Sequence, residues 1–218
     1  MRAISPRLPA TFLCAIILCS LPLSLLAETP LPPEDRGEDT SSEPFQQLLR
    51  LLAKRLTLAK EVAAYKFQNG IPIEDREREA IVLKRSLEAA AQKGLSPESV
   101  ESFFRLQIEF SKHYQQQWFD VWQQQGYPKG YHPPDLAEHI RPQLLRLGTE
   151  VVGLLPQLDP VTLSMDEQRR LAKQIFTQPP LTPEQTSRLL HEIGKVSNES
   201  LKSKRIRDQT EEASNAER

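Results

Sequence analysis

The segment Pro44 to Gln68, PFQQLLRLLAKRLTLAKEVAAYKFQ, is dominated by strong helix formers and has no proline or glycine after its first residue. At about 100° per residue, Leu48, Leu52, Arg55, Ala59, Val62 and Lys66 fall on one stripe, at spacings of four, three, four, three and four. This is one long helix with a core-facing side, and such a helix needs partners to bury that side. Asn69, Gly70 and Pro72 end it, and a second helix is expected from about Glu74 to Lys93, stopped by Gly94 at a C-terminal cap position. Ser96 then caps a third, with Pro97 at its first position, and nothing breaks it before Gly126. Short loops between three long helices predict antiparallel packing. No strand-like alternation occurs, so the fold class is all-α, a bundle of long antiparallel helices.

The stretch 126–134, GYPKGYHPP, with two glycines and three prolines, reads as a linker or surface loop. Beyond it, Asp135 is placed to cap a helix disturbed at Pro142, because a proline disfavours the α region for the preceding Arg141. Ser164 with Glu167, and Thr182 with Gln185, have the spacing of capping boxes, opening helices near 165–176 and 183–203. The helical region 135–203 should complete the fold, and the charged tail 204–218 should fray. At the other end, Arg2 and Arg7 precede an uncharged apolar run from Leu8 to Ala27, the pattern of an export signal cleaved after Ala27. A retained anchor is the rival, disfavoured by Pro22; lipidation at Cys19 is disfavoured by the bulky Leu18 before it. Residues 28–43, rich in Pro, Gly, Ser and acids, form a flexible lead-in.

Both cysteines, Cys14 and Cys19, lie within the signal, so the exported chain has no disulfide, thiol nucleophile or thiolate metal site. Losing Arg2 and Arg7 leaves 26 basic and 29 acidic side chains, a net charge of −3, which excludes a generic nucleic-acid binder. A cleaved signal also leaves no stable membrane association. There is no Gly-rich phosphate loop, no H-E-x-x-H pair and no G-x-S-x-G elbow. His113, His132, His139 and His191 lack ligand spacing, so no metal site is expected. Trp118, Phe119 and Trp122 read as core.

The informative residues are polar ones on core-facing stripes. Arg55 and Lys66 interrupt the first helix; Ser111 and Gln115 interrupt the third, within Phe104, Ile108, Ser111, Gln115, Trp118 and Trp122. A single such residue can snorkel or pair locally, but buried polar groups demand partners, and four together point to a shared cavity. The second helix adds Asp75, Arg78 and Glu79. A cavity gathering these groups suits a small, multiply anionic molecule.

With these residues in place, the chain resembles the all-helical chorismate mutases, in particular their secreted, monofunctional gamma subclass. The resemblance runs from Leu48 to Gln117, through RLTLAKEVAAYKF, PIEDREREAIVL and QIEFSKHYQ, and more loosely through PPDLAEHIRPQLLRLG. It implies that 44–125 is the catalytic helical domain and that the reaction is the rearrangement of chorismate to prephenate, with no cofactor. It implies a periplasmic or secreted homodimer whose active site is built within one chain. It assigns Arg55, Lys66 and Gln115 as catalytic: Arg55 on a substrate carboxylate, Lys66 on a carboxylate and the ether oxygen, Gln115 on that same oxygen. Asp75 and Glu79 would hold the ring-hydroxyl region, and Arg78 and Ser111 would complete the wall. Arg141, held outside a regular helix by Pro142, would be the further carboxylate-binding arginine. Two rival readings keep the helices: a non-catalytic adaptor holding a partner helix, and a binding protein for a small anion.

Overall fold

Asn69 and Gly70 (φ +63°) stop the first helix, α1 (Glu43–Gln68), where the sequence places the break. The computed structural model describes residues 42–158 and 163–216, without the side chains of several residues after 198. The expected export signal and nearly all of the lead-in lie outside them. Next come α2 (Arg76–Ala91) and α3 (Pro97–Gln125), the latter ended by Gly126 at φ +83°. A π-turn (Leu136–Ile140) leads directly into α4 (Arg141–Leu154), followed by a short 3₁₀ turn, α5 (Met165–Ile175) and α6 (Pro183–Ala216). No strand occurs among the described residues; Thr177 and Pro180 form one isolated bridge.

The caps explain the boundaries. Ser96 opens α3, its hydroxyl facing the Ser99 N–H at 3.5 Å. Ser164 and Glu167 bond reciprocally at α5, and Thr182 and Gln185 do so at α6. Asp75 caps α2, accepting from the Arg78 N–H at 3.0 Å, so α2 begins two residues later than expected and a candidate site residue doubles as a cap.

Two expectations fail. Arg141 is helical, at φ −60° and ψ −41°. The preceding π-turn, in which the Ile140 N–H reaches the Asp135 carbonyl at 3.1 Å, widens the helix where the Pro142 ring would otherwise meet the carbonyl one turn earlier. Pro142 therefore sits in the first turn of α4 without breaking it. At the C-terminus, α6 runs on to Ala216 instead of ending near 203. The segment 195–216 has no proline or glycine to stop a helix, and its lysines, arginines and glutamates are good helix formers.

The expected stripe on α1 is buried at Leu48, Leu52, Ala59, Val62 and Lys66. Leu48, Leu49 and Leu52 join Phe103 and Phe104 of α3, Val151 and Val152 of α4, and Leu189 and Leu190 of α6 in the main core. A second cluster, Ala63, Ala64 and Trp122, is covered by Phe67, Trp118, Tyr127 and Tyr131. The 126–134 loop is pinned to it: the Tyr131 hydroxyl donates to Glu61, and the Gln68 amide donates to the Tyr131 carbonyl at 2.8 Å. The chain after this loop is thus a structural partner of α1. Its last helices fill the core, while α4 stands over the polar part of the α1 stripe.

Candidate functional site

The α1 stripe turns from apolar to polar where α2, α3 and the π-turn with α4 surround it, and a cavity of about 160 Å³ opens there. All eight residues singled out in the sequence line it: Arg55 and Lys66 from α1, Asp75, Arg78 and Glu79 from the start of α2, Ser111 and Gln115 from α3, and Arg141 from α4. Lys112 and Arg85 also line it, so six cationic side chains face two carboxylates in a chain whose formal charge is −1. A concave site with that excess attracts and concentrates anions.

Several of the charged groups have defined partners. The Arg55 guanidinium donates from Nη1 to the Leu144 carbonyl at 2.8 Å and lies 6.0 Å from the Phe104 ring centroid. Burial pulls its pKa down to about 10, so it remains a cation at neutral pH. Lys66 is only 5% exposed, and its ammonium donates to the Ile73 carbonyl at 2.6 Å. Burial lowers its pKa below the ordinary lysine value; Asp75 and Glu79 oppose that shift, and Arg141 and Lys112 add to it. Arg78 is likewise pushed down, by burial first and then by Arg141 and Arg85.

The two carboxylates are already engaged. Asp75 caps α2 with Oδ1 and accepts from Arg141 Nη2 at 3.4 Å with Oδ2. Glu79 accepts from Lys112 at 3.0 Å, and its other oxygen lies 3.5 Å from the Asp75 N–H. Bound to cations and a helix N-terminus, this pair is a poor donor set for a divalent metal, which needs free oxygen ligands. Gln115, 5% exposed, donates from Nε2 to the Ser111 hydroxyl at 3.1 Å and the Ser111 carbonyl at 3.2 Å. Its Oε1 is buried and has no hydrogen-bond partner among the described residues.

Sequence reading missed Lys112, Arg85 and Gln107, which also line the cavity. Gln107 carried a signal, since 107, 111 and 115 are four apart and share a face. Arg85 did too, seven residues on from Arg78 and so on its face, whereas Lys112 did not: it sits beside the α3 stripe, where a long charged side chain normally reads as solvated surface.

The chain is similar to known proteins in sequence and fold. The family model "Chorismate mutase type II" matches residues 46–116. A monofunctional chorismate mutase of Enterobacter agglomerans is 28% identical over 156 residues, 72% of this chain and 85% of that protein. A secreted chorismate mutase of Yersinia pestis is 33% identical over 106 residues, 49% of this chain and 56% of that protein. Among solved structures, a chorismate mutase from Burkholderia thailandensis superposes with a TM-score of 0.58 at 33% identity, covering 70% of this chain and 98% of the other.

Proposed function

The chain belongs to the chorismate mutase type II family, and from that premise we propose how its pocket carries out the rearrangement of chorismate to prephenate. The enzyme is an isomerase. One ether C–O bond breaks as one C–C bond forms, with no atom gained or lost. Nothing in that step calls for a nucleophile, a base or a cofactor. The work is to hold a flexible dianion in its compact reactive form and to stabilise charge building on the ether oxygen. A millionfold acceleration needs about 8 kcal/mol from the two effects together.

The observation that carries this reading is the convergence of Arg55, Lys66 and Gln115, with five further polar side chains, on one cavity of a single chain. Arg55 uses one N–H on Leu144, and its remaining N–H groups take a substrate carboxylate. Lys66 gives one proton to Ile73 and keeps two for a carboxylate and the ether oxygen. Gln115 requires a rearrangement, because its amide nitrogen is spent on Ser111 while its oxygen lies unpartnered. Turning the amide over about Cγ–Cδ points Nε2 at the ether oxygen and lets the Ser111 hydroxyl donate to Oε1, at the cost of the present bond to the Ser111 carbonyl. Asp75 and Glu79, fixed by Arg141 and Lys112, face the ring-hydroxyl region, and Arg78 and Ser111 complete the wall. Arg141 adds a second arginine for the dianion.

We place the enzyme outside the cytoplasm, periplasmic or secreted, as a homodimer with each site inside one chain. Relatives named as secreted support export. No helix among the described residues is long and apolar enough to cross a membrane.

The test follows the loss of chorismate absorbance and identifies prephenate as the product, with Arg55→Ala in the same buffer. Rapid conversion that the substitution nearly abolishes, in a variant that keeps its helical content, is expected. No conversion by the folded parent protein would leave the anion-binding or adaptor reading.

A further inference from the structure

Along α3, Gln107, Ser111 and Gln115 follow one another at one-turn spacing, so three polar side chains form a ladder on the cavity wall. Ser111 and Gln115 bond to each other. Gln107 takes no part in that pairing. Its Nε2 is buried and has no acceptor among the described residues, although it lines the cavity. Gln107 lies one turn from Phe104, the ring against which the Arg55 guanidinium rests, so the unpartnered donor stands at the Arg55 part of the pocket. The two carboxylates that line the cavity are both engaged elsewhere, with Arg141 and Lys112. A buried N–H beside an excess of cations and without a protein oxygen calls for an anionic oxygen from outside.

We propose that Gln107 is a further substrate-binding residue, donating from Nε2 to the carboxylate that Arg55 holds. This rests on the reading of the cavity as the chorismate site. The amide supplies what arginine alone does not: a neutral donor at a second angle, fixing the carboxylate's rotation as well as its position. In the free enzyme that donor is unsatisfied, a cost to folding that substrate binding removes.

The experiment compares the purified protein with Gln107→Leu and Gln107→Glu by chorismate turnover and thermal melting. Leucine keeps the volume and deletes the unsatisfied donor, so its melting temperature should equal or exceed the parent's. Its KM should rise about ten- to a hundredfold, the worth of one hydrogen bond to a charged group, while kcat stays within about threefold. Glutamate sets an anion beside Arg55 in competition with the substrate, so its KM should exceed that of leucine at pH 7 and fall back as the pH is lowered toward the carboxyl pKa. An unchanged KM in a folded Gln107→Leu protein overturns the proposal. So does a KM rise matched by a comparable fall in melting temperature, which a packing role alone explains. Failure of the parent protein itself to convert chorismate would instead refute the functional reading beneath it.

Discussion

Gly148 sits in the middle of α4, facing Arg55, and a methyl group there sets stability against activity. A Cβ at this position would lie 3.3 Å from Arg55 Nη1, a few tenths of an ångström inside comfortable contact. The helix itself prefers alanine to glycine at an interior position by about 0.8 to 1.0 kcal/mol. The guanidinium can yield, because its 2.8 Å bond to the Leu144 carbonyl stretches by that amount without breaking. Gly148→Ala should therefore be net stabilising by about 0.5 kcal/mol, a rise of roughly 1 to 2 °C for a folded unit of this size. The same displacement moves Arg55 away from its carboxylate position. If a misplacement of about 1 Å costs about a hundredfold, a few tenths cost about three- to tenfold in kcat/KM. Melting curves and chorismate kinetics on the single variant check both signs. In an Arg55→Ala background the activity loss should vanish, since its cause has been removed. A variant that is more stable and fully active, or one that loses activity equally without Arg55, would refute the argument that Arg55 acts from this place.

Two other expectations concern protonation. Gln115→Glu replaces a donor available at every pH with one present only while the acid is protonated, so kcat/KM should drop about tenfold for each pH unit above the carboxyl pKa and recover in acid; a profile like the parent's would remove Gln115 from the ether oxygen. Burial holds Lys66 below its ordinary pKa in the folded chain, so at alkaline pH the unfolded chain retains more protons; stability from this group should rise between the folded pKa and about 10.5 while kcat/KM falls, read by melting and turnover across pH 7 to 10.5, with parallel rather than opposed trends as the contrary result.

What the sequence made readable was periodic. Arg55 and Lys66 stood out because they occupy positions where Leu48, Leu52, Ala59 and Val62 set the rule, and the helix ends were marked by Gly70, Gly126, Ser96, Ser164 and Thr182. Arg141 misled because the pre-proline restriction is a preference and not a prohibition, and Pro142 stands in the first turn of α4, where a proline is tolerated. Lys112 escaped because whether a lysine beside a stripe meets water or a pocket depends on the neighbouring helix, and Arg85, though on the face of Arg78, because a long charged side chain there reads as solvated. Here α4 supplies the missing wall, and its weaker resemblance to known relatives gave no register for it.

On the proposed function, the protein acceptors in the site are substitutes for the substrate. Arg55 rests on the Leu144 carbonyl, Lys66 on that of Ile73, Gln115 on Ser111, and Arg141 on Asp75. Without these bonds, cations gathered in a partly dry cavity would bear the full penalty of burial: the lysine would shed its proton more readily, and the arginines, which stay charged, would swing into solvent. Yet the substitutes must be weaker than what they replace, or the dianion could not displace them. Neutral backbone carbonyls meet that requirement: they satisfy one N–H each, carry no net charge, and leave the Coulombic excess of the pocket uncancelled for substrate. Where the substitute is itself a carboxylate, as at Arg141 and Lys112, the cation is partly neutralised before substrate arrives. On the proposed function, the neutral holders leave Arg55 and Lys66 as the cations whose charge is free for the dianion, and the paired cations fix Asp75 and Glu79, the acids assigned to the ring-hydroxyl region.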